Sequence, residues 1–366
     1  MEGLTITRLR YLYEAVRLGG IRAAADHLDV APSAVSRQLA ILERAVRSPL
    51  LEKNRRGAKP TEAGALLIEH YRAHLTREEV LVSKLEGIHG LEYGTVAVGA
   101  IQGFTEDLMN HALRVFHQRY PKVSITLELG GVSDIQQWLE SDHIHLGLTY
   151  GPPFDSHAMR FKEIAAADQP VCAIVRRDHP LAQRRSVTIQ DLVDYPFALA
   201  RRGYGTRDIV ERIELSGDLG TSLGAPSAAM ASSSEPETDP LSASPPSSEA
   251  RSIASTAPTA PTPLAGAPSV PRLFNVRLET DHLIGLAGFV RAGMGITLLP
   301  AFAVGDDLER GTLVAIEIDH PLMRNVQARV ISRRGRELPL AAVALQRLLI
   351  EQMRAFHPGY SRTATS

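Results

Sequence analysis

Residues 21–46 read IRAAADHLDVAPSAVSRQLAILERAV, and two helices joined by a tight turn fit this stretch. IRAAADHL (Ile21–Leu28) turns Ala24, Ala25 and Leu28 inward, Asp29-Val30-Ala31 makes the turn, and Pro32–Val46 forms the second helix. Pro32 suits the first helical turn, because the N–H it lacks would have no partner there. Val35, Leu39, Leu42 and Val46 recur at helical spacing as its buried face, leaving Ser33, Ser36, Arg37 and Gln38 outward near its start. In a helix-turn-helix that end of the second helix enters the major groove, where Ser, Arg and Gln can hydrogen-bond base edges and phosphates. Arg22, opening the first helix, is a further DNA-binding candidate.

The flanking sequence extends this reading. The run Lys53-Asn54-Arg55-Arg56-Gly57-Ala58-Lys59 is a basic turn suited to a wing on the DNA backbone, with Arg55, Arg56 and Lys59 as its contacts. Residues 1–60 hold eleven Lys or Arg against six Asp or Glu, whereas the whole chain of 366 residues balances 40 against 41. Basic charge is therefore gathered where a nucleic-acid footprint would need it. From Thr61, a natural N-cap, the chain predicts one long helix ending near Gly87 and Gly90. Its apolar residues Leu67, Tyr71, Leu75, Val82 and Leu85 lie on one stripe. Either a twin helix from a second subunit or the chain's own globular part can bury it.

After Gly94 strands alternate with helices. TVAVGA (Thr95–Ala100), VSITLEL (Val123–Leu129) and HLGLTY (His145–Tyr150) form one set, FALA (Phe197–Ala200), VRLET (Val276–Thr280) and ITLLP (Ile296–Pro300) a second. Two such sets predict two α/β units with parallel sheets. VCAIV (Val171–Val175) and VQARVIS (Val326–Ser332) mirror each other, and each crossing into the other unit would leave a cleft between two lobes. Ser216–Pro271 stands apart: 43 of its 56 residues are Ser, Ala, Pro, Thr or Gly, and none is aromatic. Such a composition predicts disorder, as a tolerated loop insertion or as a regulated tail.

Other chemistry is thinly represented. The single cysteine, Cys172, excludes a disulfide scaffold. As a nucleophile it would point to an enzyme, but within PVCAIV it reads as a small buried residue. His143 and His145 lack further metal ligands, no nucleotide-binding glycine loop is present, and no cofactor, metal or catalytic residue is expected. An N-terminus without an apolar region, and no unbroken apolar run of membrane length, predict a cytoplasmic protein without membrane contact.

AAADHLDVAPSAVSRQLAILE followed by LLEKNRRGAKPTEAG resembles the winged helix-turn-helix of LysR-type transcriptional regulators, and GMGITLLP and the strand–RRGR segment are also similar to that family. The resemblance implies an α/β multidomain protein: an N-terminal winged helix-turn-helix, a long linker helix, and a two-lobed, periplasmic-binding-protein-like (type II) effector domain. The corresponding expectations are a DNA-binding domain at 1–61, a dimerisation helix at 62–90, lobe I at 91–165 and 322–353, lobe II at 166–321 interrupted by 216–271, and a flexible tail at 354–366. It further implies a dimer through the linker helix, a tetramer on promoter DNA, a small effector altering transcription of a neighbouring gene, and RNA polymerase as a candidate partner. The effector cleft would be lined by Gln102, Gly103, Thr105, Thr149 and Tyr150 from one lobe and Arg202, Gly203, Gly205 and Thr206 from the other. With Arg201, Arg202 and Arg207 nearby, a carboxylate effector is expected unless those arginines pair with local acids such as Asp208 and Glu211. The sequence departs from the family pattern at Gly20, Ala31, Pro32 and Arg47, where Ser, Ser, a polar residue and Gly are usual. A two-lobed small-molecule-binding protein, or an enzyme with non-specific DNA affinity, is the alternative.

Overall fold

The structure is a computed structural model, which describes residues 3–52, 57–88, 93–153, 160–201, 205–216, 273–357 and 360. Its N-terminal part packs helices α1 (Ile6–Arg17), α2 (Ile21–His27) and α3 (Pro32–Val46) around Leu9, Leu12, Ala15, Ala24, Ala25, Val35, Leu39 and Leu42. Leu28 and Val46 are only half-buried at the edge of that core. Asp29 takes a left-handed φ of 53° in the turn, a conformation that Asp tolerates better than most residues. After α3, Leu51 and Pro60 form a β-bridge and the Glu52 N–H donates to the Lys59 carbonyl, closing the base of a wing. Thr61 caps the long helix α4 (Glu62–Gly87) by accepting from the Gly64 N–H at 3.1 Å.

Helix α4 does not bury its stripe as one unit. Ile68 and Tyr71 complete the core of the winged domain, and Thr76, Val80 and Ser83 are buried farther along the helix. Leu75, Leu81, Val82 and Leu85 remain 38–57% exposed.

The rest of the chain builds two sheets. Strands β1 (Gly94–Ala100), β2 (Val123–Leu129), β3 (Leu146–Gly151) and β4 (Phe161–Asp168) belong to the first; β5 (Val171–Arg176), β6 (Ser186–Val187), β7 (Pro196–Ala200), β8 (Asn275–Thr280), β9 (Ile296–Pro300) and β10 (Leu313–Ile318) form the second; β11 (Gln327–Arg333) returns to the first. The orders are β2-β1-β3-β11-β4 and β6-β10-β5-β9-β7-β8. Each contains the three parallel strands that the sequence predicts, but neither sheet is parallel throughout. β11 runs antiparallel to β3 and β4, and β5 runs antiparallel to β9 and β10, because the chain enters each sheet from the other lobe.

Two boundaries move. Lobe I extends through β4 to Asp168 rather than ending at residue 165, since β4 completes the first sheet beside β11. The tail expected from residue 354 begins with a packed turn: Arg354, Ala355 and Phe356 are buried, and the Arg354 and Ala355 N–H groups both donate to the fully buried Asp107 carboxylate at 2.9 Å. The expected insertion lies almost wholly outside the described residues; its flanks, Ser216 and Leu273, stand close together, with the Leu273 N–H donating to Glu214 Oε1 at 3.2 Å. No described helix is long and apolar enough to cross a membrane.

Candidate DNA interface and effector cleft

Helix α3 presents a polar face at its N-terminal half. Ser33, Ser36 and Arg37 are exposed there, and Arg37 has no hydrogen bond or ion pair among the described residues. Ala31 supplies no side-chain cap, but its carbonyl accepts from the Ala34 and Val35 N–H groups. Ser36 Oγ donates back to the Pro32 carbonyl at 3.1 Å, which leaves its oxygen lone pairs for an incoming donor.

Gln38 is not the free outward group that the spacing predicts. It is half-buried, and its Oε1 accepts from Arg8 Nε of α1 at 3.0 Å. No spacing signal marks the contact of Arg8 with this face, because Arg8 stands 30 residues away and meets α3 only in the folded domain.

Arg22, at the first turn of α2, lines a shallow concavity with Arg44, Arg47, Gly57 and Ala58, between the end of α3 and the wing. Arg47 ends α3 in a left-handed conformation with φ 54° and is exposed. Lys59 is exposed on the wing; Arg55 and Arg56 lie outside the described residues.

Between the lobes lies a cavity of about 70 Å³. Gln102, Gly103, Tyr150 and Thr206 line it, as expected from the sequence, and Gly205 starts the helix Gly205–Ser216 beside it. Thr149 and Thr105 do not line it, although both hydroxyls are buried without a hydrogen-bond partner among the described residues. Arg202 and Gly203 lie outside those residues. Most of the remaining wall is apolar, including Ile101, Val132, Leu283, Leu286, Leu299 and Ala303, which strand-end reasoning misses because helix starts and a neighbouring turn supply several of them. Gln102 Oε1 accepts from the Leu283 N–H at 2.6 Å and so bridges the lobes, and Phe104 stacks on Phe302 at 4.7 Å beneath it. The Tyr150 hydroxyl is turned away to donate to the Gln169 carbonyl.

Of the expected arginine cluster, Arg201 and Arg207 do not line this cavity, and Arg202 lies outside the described residues. Arg207 is buried and paired with Glu211 at 3.1 Å and Glu214 at 3.9 Å, so local acids have claimed it. Among the described residues, the charged side chain in the wall is Asp281.

Candidate catalytic groups are equally committed. Cys172 is buried on β5, and burial pushes its thiol up to about 12. His143 pairs with Glu128 and His145 with Glu79, on separate elements.

A winged helix-turn-helix carried by a long helix on a two-lobed body with a small cavity between its lobes defines a class: a ligand-responsive DNA-binding regulator. Comparison with known families agrees. A model of the "bacterial regulatory helix-turn-helix protein, lysR family" matches residues 6–65, and one of the "LysR substrate binding domain" matches 89–221 and 264–354. The chain belongs to the LysR family of transcriptional regulators. The unmatched stretch between the two segments falls within the Ser/Ala/Pro-rich insertion. An HTH-type regulator of Bacillus subtilis, YvbU, is 27% identical over 202 residues, covering 55% of this chain and 68% of that protein. A RuBisCO operon transcriptional regulator of Allochromatium vinosum is 26% identical over 209 residues, 57% and 68% of the two chains. The fold is shared with a variant of full-length OxyR from Pseudomonas aeruginosa, at a TM-score of 0.58 and 16% identity over 95% of each chain.

Proposed function

We propose that this LysR-type regulator reads promoter DNA with Ser33, Ser36, Arg37 and Gln38, while Arg22, Lys59, Arg55 and Arg56 hold phosphates. The observation that carries the reading is the exposed, unpaired Arg37 on the N-terminal half of α3, the half that a helix-turn-helix inserts into the major groove. The exposed ridge Leu75, Leu81, Val82 and Leu85 on α4 supports a dimer through that helix, and pairs of such dimers would form the tetramer on DNA. A cytoplasmic location, and RNA polymerase as the partner through which transcription changes, accord with action on promoter DNA.

The cleft would take a small effector with a short apolar body. We retain a carboxylate as its class, but received by the helix starts at Val132 and Thr206 rather than by arginine. Asp281 sets the direction of a control: Asp281→Asn should tighten binding of an anion. Calorimetric titration with small carboxylates and their amides tests this, and silence from every carboxylate removes the class.

The decisive experiment is a footprint on the DNA upstream of the chain's own gene, with promoters of RuBisCO genes included because several relatives are named for them. A dyad-like protected region spread over several helical turns is expected. Arg37→Ala should lower specific affinity by about 1–3 kcal/mol; operator preference untouched by that change would remove α3 as the reading helix.

A further inference from the structure

We infer that Arg8 leaves Gln38 with only its donor end for a base edge, so that this regulator prefers guanine or thymine over adenine at the position Gln38 meets. The inference rests on α3 being the reading helix.

Arg8 Nε donates to Gln38 Oε1 at 3.0 Å, while Arg8 Nη1 donates to the Gly3 carbonyl at 2.9 Å. The guanidinium is thus held at two points, one on the chain just before α1 and one on α3. A guanidinium has donors only, so the amide oxygen must face it and the amide NH₂ must face away. That NH₂ has no partner among the described residues.

A free glutamine recognises adenine with both ends of its amide: the oxygen accepts from N6 and the nitrogen donates to N7. Here the Arg8 Nε–H occupies one lone pair of the oxygen and sets the guanidinium charge against it. The N6 amino group of adenine would bring a second positive dipole to the same oxygen. Guanine offers acceptors at O6 and N7 and thymine offers O4, and either suits a side chain with only its donor end available, whereas adenine sets its one acceptor, N7, beside the N6 donor that the Gln38 oxygen is no longer free to receive in full. Arg8 is therefore a positioning residue: it selects a base through the amide it orients.

The test is binding-site selection from randomised duplex DNA by the full chain, comparing wild type, Arg8→Met, Gln38→Ala and the double variant. The wild type should show guanine or thymine at one position, and Gln38→Ala should flatten that position alone. Arg8→Met should admit adenine there, raising its relative affinity about fivefold or more, and the double variant should match Gln38→Ala. Thermal unfolding checks that each variant is folded; Arg8→Leu, likewise without a donor, replaces Arg8→Met if that chain does not fold. An Arg8 variant with the wild-type base profile overturns the proposal, as does an Arg8 effect that persists without Gln38. A wild-type chain that selects no motif removes the reading helix itself, and this inference with it.

Discussion

His145 and Glu79 meet across the junction of the sensor with the long helix, Nε2 to Oε1 at 2.7 Å. The imidazole's other nitrogen accepts from the Ala97 N–H at 2.9 Å, so the ring proton sits on Nε2, and His145 is a donor to the helix. Arg336 reaches the second oxygen of Glu79 at 3.2 Å, and Arg333 binds both Glu69 of α4 and Asp142. The helix that carries the DNA-reading domain is tied to lobe I by charge. The pairing is incomplete, since Arg72 Nε, Asp142 Oδ2 and Arg336 Nε are buried without partners among the described residues. Such a junction is a poor source of stability for its size.

Removing Glu79 strands two groups at once. Glu79→Ala should cost about 3 kcal/mol, the low end for breaking a buried pair because the carboxylate keeps some solvent contact. Chemical denaturation measures it; a loss below about 0.5 kcal/mol, typical of surface changes, would show that the junction contributes nothing. Although burial pushes the Glu79 carboxyl up, His145 and Arg336 hold it below its ordinary 4.5. Its contribution is therefore full above that value and lost as pH falls through the lower, folded one.

Glu106 gives the opposite pH dependence. Burial, a hydrogen bond to Asp306 and the charges of Asp306 and Asp307 raise its carboxyl to about 7. Between 4.5 and about 7 the unfolded chain is ionised at this group while the native chain keeps its proton. Stability should fall as pH rises through that window and change no further from this source above it. Glu106→Gln keeps the group neutral, so its melting temperature should decline less than the wild type's between about pH 5 and about pH 8. Parallel melting curves would refute the shared proton.

Arg47→Gly separates backbone strain from charge. An L-residue in the left-handed region costs roughly 1–2 kcal/mol, and Arg47 sits there with φ 54°. The glycine variant should be more stable by about 1 kcal/mol. If Arg47 also holds a phosphate, the same variant should flatten the salt dependence of DNA binding by about one unit. A stabilised protein with an unchanged salt slope would assign Arg47 a structural role only.

Cys172 should be inert to oxidants. Its buried thiol, raised to about 12, is almost wholly protonated near neutral pH, and the thiolate is the reactive species. Peroxide should leave DNA binding unchanged, and a thiol reagent should label the chain only after denaturation. Labelling of the native protein would contradict the burial on β5.

Much of the architecture was legible because local chemistry marks it. Pro32 and Val46 bound α3 as the sequence predicts, Thr61 caps α4, and all eight strands recognised in the sequence exist within a residue or two. Three strands were not read: β10 (LVAIEI) has an ordinary strand composition that went unused, and the other two have weaker signals. β4 (FKEIAAAD) is alanine-rich and without alternation, while β6 is two residues long. The cleft was half legible: Gln102, Gly103, Tyr150 and Thr206 follow from strand ends and helix starts, but Asp281 and the apolar wall depend on how two sheets close together.

The sequence by itself determined the order of units and the helix-turn-helix, because caps, turns and 3.6-residue periodicity act over a few neighbouring residues. The fate of individual polar side chains was decided only by the tertiary structure. Gln38 looks free until Arg8 arrives from α1. His145 looks like a stray histidine until α4 brings Glu79 to it. A charge or an amide is satisfied by whatever lies within about 3 Å, and folding sets that distance between residues far apart in the chain.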